Sequence, residues 1–174
     1  MAYPAKRKKG SRKREVKGNI EAAKELAFRF LSYRSRSSEE VRQKLSQAGC
    51  APSDIEGVIA RLEELGYLND HDYAFALGRS WVEIKCWGPS RIRDALVKKG
   101  VAPETITAVL RELAMEHDFR RVACRALKSR FNRTEMLKLN GDKMRQRAIG
   151  HLLRRGFSWS IIADVIDTGD NIFG

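Results

Sequence analysis

The stretch VRQKLSQAGCAPSDIEGVI, residues 41–59, decides the fold because it returns without a gap as IRDALVKKGVAPETITAVL at residues 92–110. The offset is 51 residues. A fainter third copy occupies residues 148–166, displaced by a further 56, with Trp159 where the first two copies have proline. Self-similarity at such a period is typical of repeat proteins. The sequence therefore predicts three tandem copies of one structural unit.

Each copy is predicted to be a helical hairpin. Val41, Leu45 and Ala48 fall at positions i, i+4 and i+7, the spacing of one buried helix face. A second helix follows, whose apolar face carries Ile55, Val58, Ile59, Leu62 and Leu65.

The ends of these helices carry capping residues. Ser37 and Glu40 form a capping box, and Gly49 is a C-cap between the two helices. Pro52 and Pro103 suit the opening turn of a helix, where a missing N–H costs nothing. The local signals thus agree with the apolar period.

A third amphipathic stretch precedes each hairpin, which gives three helices per unit, and no stretch alternates as a strand does. Its apolar positions are Ala23, Leu26, Ala27, Phe30 and Leu31; then Ala74, Leu77, Trp81 and Ile84; then Phe119, Val122, Ala123, Ala126 and Leu127. We expect an all-α protein whose three three-helix repeats form an elongated, curved array. The expected boundaries are a disordered basic tail at 1–19, repeats at 20–67, 68–115 and 116–174, and a longer connection at 132–141 inside the third repeat.

Positive charge is concentrated at the two ends of the chain. The 34 Lys and Arg against 22 Asp and Glu leave a formal charge of +12, of which residues 1–17 carry +7 and residues 116–174 carry +5. Such a balance favours polyanionic partners. The tail fits a nucleic-acid arm, a nuclear localisation signal or a solubilising extension, and its basic residues are Lys6, Arg7, Lys8, Lys9, Arg12, Lys13, Arg14 and Lys17.

The third repeat has a dense basic cluster with few acids. We interpret it as a contact for phosphate or an acidic protein, with a solvated helix face as the alternative. Its members are Arg120, Arg121, Arg125, Lys128, Arg130, Arg133, Lys143, Arg145, Arg147, Arg154 and Arg155. Tyr33, Trp87 and Trp159 lie near basic residues and could stack on unpaired bases, although burial between repeats is the favoured interpretation.

Nothing in the sequence argues for catalysis. His71, His117 and His151 are widely spaced, and no HExxH, Cys–His pair or glycine-rich phosphate loop is present. Cys50, Cys86 and Cys124 are an odd set without close pairing, which favours small buried or half-buried thiols in a reducing compartment. We expect a cytoplasmic, monomeric binding protein that is not an enzyme and has no cofactor, metal or membrane contact.

The middle of the chain resembles the RecX family, regulators of the RecA recombinase. The similarity lies in GYLND at 66–70 with Tyr73 and Ala74, in GPSRIR at 88–93, in LVKKGV at 96–101, and in RRGF at 154–157 with Ile162. It covers residues 22–167, and the basic tail and the 132–141 segment depart from the family pattern. Asn69 is expected to cap the helix that begins at Asp70.

This resemblance implies a protein that binds along the groove of the RecA filament on single-stranded DNA and modulates, in the direction of inhibition, its ATP hydrolysis and strand exchange in recombination, DNA repair and the SOS response. Single-stranded DNA, and also double-stranded DNA, would then be contacted. The candidate contacts in the second repeat are Arg91, Arg93, Lys98 and Lys99, of which Arg91 and Arg93 project on nearly opposite faces.

Two other hypotheses stay open. A sequence-independent DNA- or RNA-binding protein would owe its affinity to the tail, and a helical scaffold would bind neither DNA nor recombinase. A DNA-reading helix-turn-helix is disfavoured because acids such as Asp54, Glu56 and Glu104 stand at the first turns that would meet phosphates.

Overall fold

The structure, a computed structural model, describes residues 20–131 and 142–167, and over these ranges it contains nine helices and no strand. This confirms an all-α protein with three helices per repeat. The predicted tail and the 132–141 connection lie outside the described residues. In chain order the helices are α1 (Ile20–Leu31), α2 (Ser38–Gln47), α3 (Pro52–Glu64), α4 (Asp70–Glu83), α5 (Pro89–Val97), α6 (Pro103–Glu116), α7 (Phe119–Lys128), α8 (Asp142–Arg154) and α9 (Trp159–Asp167).

The predicted caps are confirmed. Ser37 Oγ accepts from the Glu40 amide at 3.1 Å while Glu40 Oε2 accepts from the Ser37 amide at 3.3 Å, which closes the capping box. Asn69 accepts from two amides at the start of α4, and α3 and α6 begin at prolines. Gly49 has a φ of +85°, in the left-handed region where a glycine ends a helix without strain.

The described residues divide into two compact units. The first comprises residues 20–34 and 41–67, in which α1 packs against α3. Its core is small and aliphatic, and its buried side chains are Ala23, Ala27, Val41, Leu45, Cys50, Ile55, Val58, Ile59 and Leu62.

The second unit comprises residues 35–40, 68–131 and 142–167, and a single apolar core runs through it from Tyr73 to Ile166. Within it α4 packs on α6, and α9 packs on α7 and α8. Leu113 and Leu127 are fully buried, and each such side chain contributes about 2 to 3 kcal/mol of apolar burial. The second and third repeats therefore share one core. The predicted repeat boundaries and the curvature of the array stay predictions.

Residues 35–40 pack with the second unit through a set of polar bonds that we call the serine contact. Ser37 Oγ donates to the Lys99 carbonyl at 2.5 Å, and the Ser38 amide donates to Asp70 Oδ1 at 2.7 Å. The largely buried Glu40 carboxylate accepts from Tyr73 Oη at 2.8 Å and from Lys99 Nζ at 3.0 Å. The capping residues of α2 thus also hold α4 and the turn after α5.

Four apolar residues lie outside the predicted cores. Tyr33 is 78% exposed and Trp159 is 62% exposed, so the prediction that they are buried between repeats is wrong. Leu65 and Ile84 were assigned to apolar faces and are also exposed. Each of these residues stands at or just past a helix terminus, where the helical period no longer sets the direction of the side chain.

The three cysteines are free, with Cys50 buried and Cys86 and Cys124 half-buried, as predicted. Of the helices in the described part of the chain, none has the length and apolar character that a bilayer crossing requires.

Candidate nucleic-acid interface

Helix α7 separates its apolar and basic residues completely. Asp118 caps it by accepting from the amides of Arg120 and Arg121. Because one face is buried in the shared core, the basic side chains stand on the other. Arg125 Nη2 donates to the Val82 carbonyl at 3.1 Å, and Arg120 Nε lies 3.6 Å from Asp164.

Helix α8 carries the second part of the predicted basic cluster. Lys143, Arg145 and Arg147 are exposed along it, and Arg145 pairs with Asp167 at 2.6 Å. Arg147, His151 and Arg154 fall at i, i+4 and i+7 and therefore share one face of the helix.

The start of α5 meets the turn between α8 and α9 through a backbone approach that we call the glycine contact. The Gly88 amide donates to the Arg155 carbonyl at 2.7 Å, and the Ser90 amide donates to the Gly156 carbonyl at 3.1 Å. A Cβ on Gly88 would lie 2.4 Å from the Gly156 oxygen, and one on Gly156 would lie 2.3 Å from the Arg91 nitrogen. Only glycine allows the two backbones this close.

Two arginine side chains flank the glycine contact. Arg91 Nη1 donates to the Arg154 carbonyl at 2.6 Å, and Arg155 Nη1 donates to the Lys85 carbonyl. These bonds hold the second and third repeats together at the surface, so the two arginines have a structural role besides any contact with a partner.

A basic and aromatic cleft opens beside this contact, and we call it the junction cleft. Trp87 packs on Trp81 at 5.1 Å, with the Arg91 guanidinium 4.4 Å from its ring centre. The turn before Trp87 is strained, because Cys86 has a φ of +47°. The cleft is lined by Trp87, Ser90, Arg91, Asp94, Ala95, Lys98, Leu153, Arg154 and Gly156.

A second cleft lies between the end of α7 and α8, and we call it the arginine cleft. It is lined by Arg130, Phe131, Gln146, Arg147, Gly150, His151 and Arg154. Arg154 lines both clefts. The junction cleft and the arginine cleft are therefore neighbours, and three sequence-predicted basic residues meet in each.

The pKa of His151 responds to the positive charges around the arginine cleft. Burial lowers the pKa of His151 below its usual value, and the charges of Arg155, Arg154 and Arg130 lower it further, against a hydrogen bond to the Ala126 carbonyl. The surroundings of the ring therefore favour its neutral form.

The other predicted contacts are not gathered into either cleft. Lys99 is paired with Glu40 in the serine contact. Arg93, Arg121, Lys128 and Lys143 are exposed and line neither cleft, as are Arg120, Arg125 and Arg145, whose bonds are given above. The tail residues and Arg133 lie outside the described part of the chain.

Sequence reasoning missed four residues of the arginine cleft: Phe131, Gln146, Gly150 and His151. A signal for His151 was present, since it stands between Arg147 and Arg154 on one helical face. No spacing pointed to Phe131, which reaches the cleft only because α7 packs beside α8.

Comparison with known proteins gives a consistent family. Three family models match in order: the first three-helix domain of RecX at residues 23–62, the second at 69–110 and the third at 121–166. The regulatory protein RecX of Bacillus subtilis is 33% identical over 81% of this chain and 52% of its own length. That of Lactococcus lactis subsp. cremoris is 29% identical over 83% of this chain and 54% of its own. The chain thus spans about half the length of the curated relatives it matches.

Solved structures share the fold. A crystal structure of RecX from Lactobacillus salivarius superposes with a TM-score of 0.75 at 24% identity, covering 87% of this chain and 96% of that one. A second crystal structure, of a regulatory protein RecX, gives a TM-score of 0.71 at 21% identity, covering 85% and 71%. At these identities the likeness concerns the fold alone.

Proposed function

The chain belongs to the RecX family of regulatory proteins, and from this premise we propose that it binds the filament that RecA forms on single-stranded DNA. It would modulate, in the direction of inhibition, the ATP hydrolysis and strand exchange of that filament. The observation that carries the proposal is the match of three successive three-helix domains, in order, across residues 23–166. The proposed setting is a cytoplasmic monomer acting in recombination and DNA repair.

The clefts support this proposal by offering surfaces for the DNA of such a filament. Arg91, Lys98 and Arg154 line the junction cleft beside an aromatic ring, a combination that suits a phosphate backbone with unpaired bases. The exposed lysines and arginines outside the clefts would add positive charge, which the acidic surface of a protein partner could meet.

The test is to add the protein to RecA filaments assembled on single-stranded DNA. We expect ATP hydrolysis and strand exchange to fall at amounts near or below one protein per recombinase subunit. A filament whose hydrolysis and strand exchange are both unchanged at equimolar protein contradicts the proposal. A K98Q variant should weaken the effect if the junction cleft contacts the filament, whereas R79Q, a change of equal charge at an arginine paired with Glu83, should not.

The second candidate function is sequence-independent binding of DNA or RNA. Residues 1–17 carry +7, and a segment of that charge binds phosphates through counterion release. Such a protein loses affinity steeply with salt and loses most of it when residues 1–17 are removed.

The salt dependence of binding and the removal of residues 1–17 therefore distinguish the two functions. A filament modulator without residues 1–17 should keep most of its effect on ATP hydrolysis, because its contact with the recombinase does not depend on the tail. If hydrolysis changes only in proportion to binding of free DNA, the second function is favoured.

A further inference from the structure

The floor of the arginine cleft is the buried phenyl ring of Phe131. The guanidinium carbons of Arg130 and Arg147 lie 5.4 and 5.7 Å from its centre, and the His151 ring stands edge-on at 5.9 Å and 75°. Cation–π attraction favours these positions over free rotation of the two side chains. One aromatic ring thus positions two guanidinium groups and one imidazole.

The cleft has no acid of its own. None of its seven lining residues is an aspartate or glutamate, and over residues 20–131 and 142–167 no ion pair joins a carboxylate to Arg130, Arg147 or Arg154. The neighbouring Arg120 and Arg145 are paired with Asp164 and Asp167. Among the described residues, positive charge is therefore left uncompensated at the cleft while it is neutralised beside it.

The orphaned nitrogen of His151 is the independent observation. The residue is 9% exposed, and over residues 20–131 and 142–167 its Nε2 has no hydrogen-bond partner. A buried polar atom without a partner costs free energy and calls for an explanation. Here the unpaired nitrogen lies in a residue that lines a cleft of arginines.

We propose that the arginine cleft is a phosphate-binding subsite in which Arg130, Arg147 and Arg154 hold one phosphate group of a single-stranded nucleic-acid backbone. A planar guanidinium donates paired hydrogen bonds to phosphate oxygens, and three of them around one concavity match a tetrahedral anion. His151 senses the bound group through its charge. Only the identity of the biological partner of this subsite rests on the proposed function, because the cleft can bind phosphate without a recombinase.

The proton linkage follows from the charges around the ring. Those acting on His151 are Arg130 at the end of α7 and Arg154 and Arg155 at the end of α8. A bound phosphate offsets these positive charges, so the protonated imidazole becomes easier to form. Phosphate affinity therefore rises as the pH falls through the pKa of the phosphate-bound form, by a total of tenfold for each unit by which binding raises the pKa.

The first experiment measures binding of a fluorescent oligothymidylate to the full chain by anisotropy, across a range of salt. R147Q should weaken binding by about tenfold and lower the salt slope by about one. R145Q, two residues away on the same helix and of equal charge change, should alter affinity less than twofold because Arg145 is already paired. Equal losses in the two variants overturn the subsite.

The second experiment follows the His151 ring by NMR in the unmodified protein, which avoids any loss of folding in a variant. Sulfate serves as the anion, since it does not titrate between pH 5 and 8 and phosphate does. Sulfate and oligothymidylate should each raise the pKa of His151, and R147Q should reduce that rise. A ring whose titration ignores both anions overturns the proposal.

Thymidine triphosphate distinguishes the source of the phosphate. The proposal expects it to bind more weakly than the oligothymidylate, and tighter binding of the nucleotide overturns the assignment to a nucleic-acid backbone. All three measurements omit the recombinase. A protein that binds oligothymidylate as expected but leaves RecA filaments unaltered would refute the proposed function and keep the subsite.

Discussion

The serine contact and the glycine contact occupy equivalent positions in successive repeats and are built differently. In each, the glycine turn after a middle helix packs on the start of the preceding middle helix: Gly100 meets Glu39, and Gly156 meets Arg91. Ser37 and Gly88 correspond through the 51-residue offset. The first contact closes with a hydroxyl and a carboxylate, the second with backbone amides.

This difference shows that equivalent contacts in successive repeats can keep the same position while they are made by different chemical groups. A contact made by side chains can adjust when one partner moves, because rotamers are available. A contact made by two backbones at glycine cannot, since an added Cβ would overlap main-chain atoms. We expect the two contacts to respond differently to the same substitution.

The largest effect is expected from alanine at the three equivalent turn glycines. Gly156→Ala adds a Cβ 2.3 Å from a backbone nitrogen at a φ of +83°, and should destabilise the protein by about 3 kcal/mol or more. Gly100→Ala meets Glu39 side-chain carbons at 2.3 Å and should cost about 2 kcal/mol. Urea unfolding followed by circular dichroism measures each loss.

Gly49 is the internal control for that series. Its φ is +85°, yet a Cβ there meets nothing within 4 Å, so Gly49→Ala should cost only the left-handed backbone penalty of about 1 kcal/mol. Equal losses at all three positions would mean that the close approach contributes nothing and that backbone conformation explains everything.

The second prediction weakens the serine contact alone. Glu40→Gln removes the charge that accepts from the Ser37 amide, Tyr73 Oη and Lys99 Nζ, and should lower the free energy of unfolding by about 1 to 2 kcal/mol. Glu64→Gln is matched in chemistry but removes an exposed pair with Arg61, and should cost less than about 0.5 kcal/mol. Indistinguishable melts of the two variants would contradict this ranking.

The smallest effect is a pH dependence beside the serine contact, at His71 next to Asp70. The hydrogen bond from its Nε2 to Glu112 Oε1, at 2.9 Å, raises the pKa of His71, opposed by desolvation and assisted by Asp72. A raised pKa in the folded protein stabilises it below the unfolded pKa, near 6.5, and this stabilisation is lost as the pH rises through the folded value.

Because the His71 side chain is 41% exposed, solvent screening limits this contribution to a few tenths of a kcal/mol. His71→Gln should therefore lower the melting temperature at pH 5 more than at pH 8. The buried His151 acts with the opposite sign, since its lowered pKa favours the unfolded protein in acid. The difference in melting temperature between wild type and His71→Gln isolates the contribution of His71. A difference that grows as the pH rises would refute the assignment.

The helices and their ends could be predicted because their causes are local. Ser37 and Asn69 accept from amides within three residues, Pro103 stands where the missing N–H costs nothing, and the apolar period of α7 needs only its own sequence. The same logic failed at Ile84 and Trp159, which stand at helix ends where packing from distant segments decides exposure.

The candidate site could be predicted only in its composition. The sequence supplied the basic residues, but Lys98 and Arg154 meet in the junction cleft across 56 positions, and no local rule brings them together. Nor could spacing separate Arg145, which is neutralised by Asp167, from Arg147, which faces the arginine cleft. Tertiary packing makes that distinction.

The serine contact also makes the second unit discontinuous along the chain. This discontinuity sets the order in which its contacts can form during synthesis. Ser37 precedes its partner Lys99 by 62 residues, so at ribosomal rates it is translated roughly 3 to 12 seconds earlier. Residues 41–67 are completed within that interval, and the first turn of α2 has none of its second-unit partners until Asp70 and Tyr73 have been translated. Residues 35–40 therefore complete their contacts only after Lys99 has been translated.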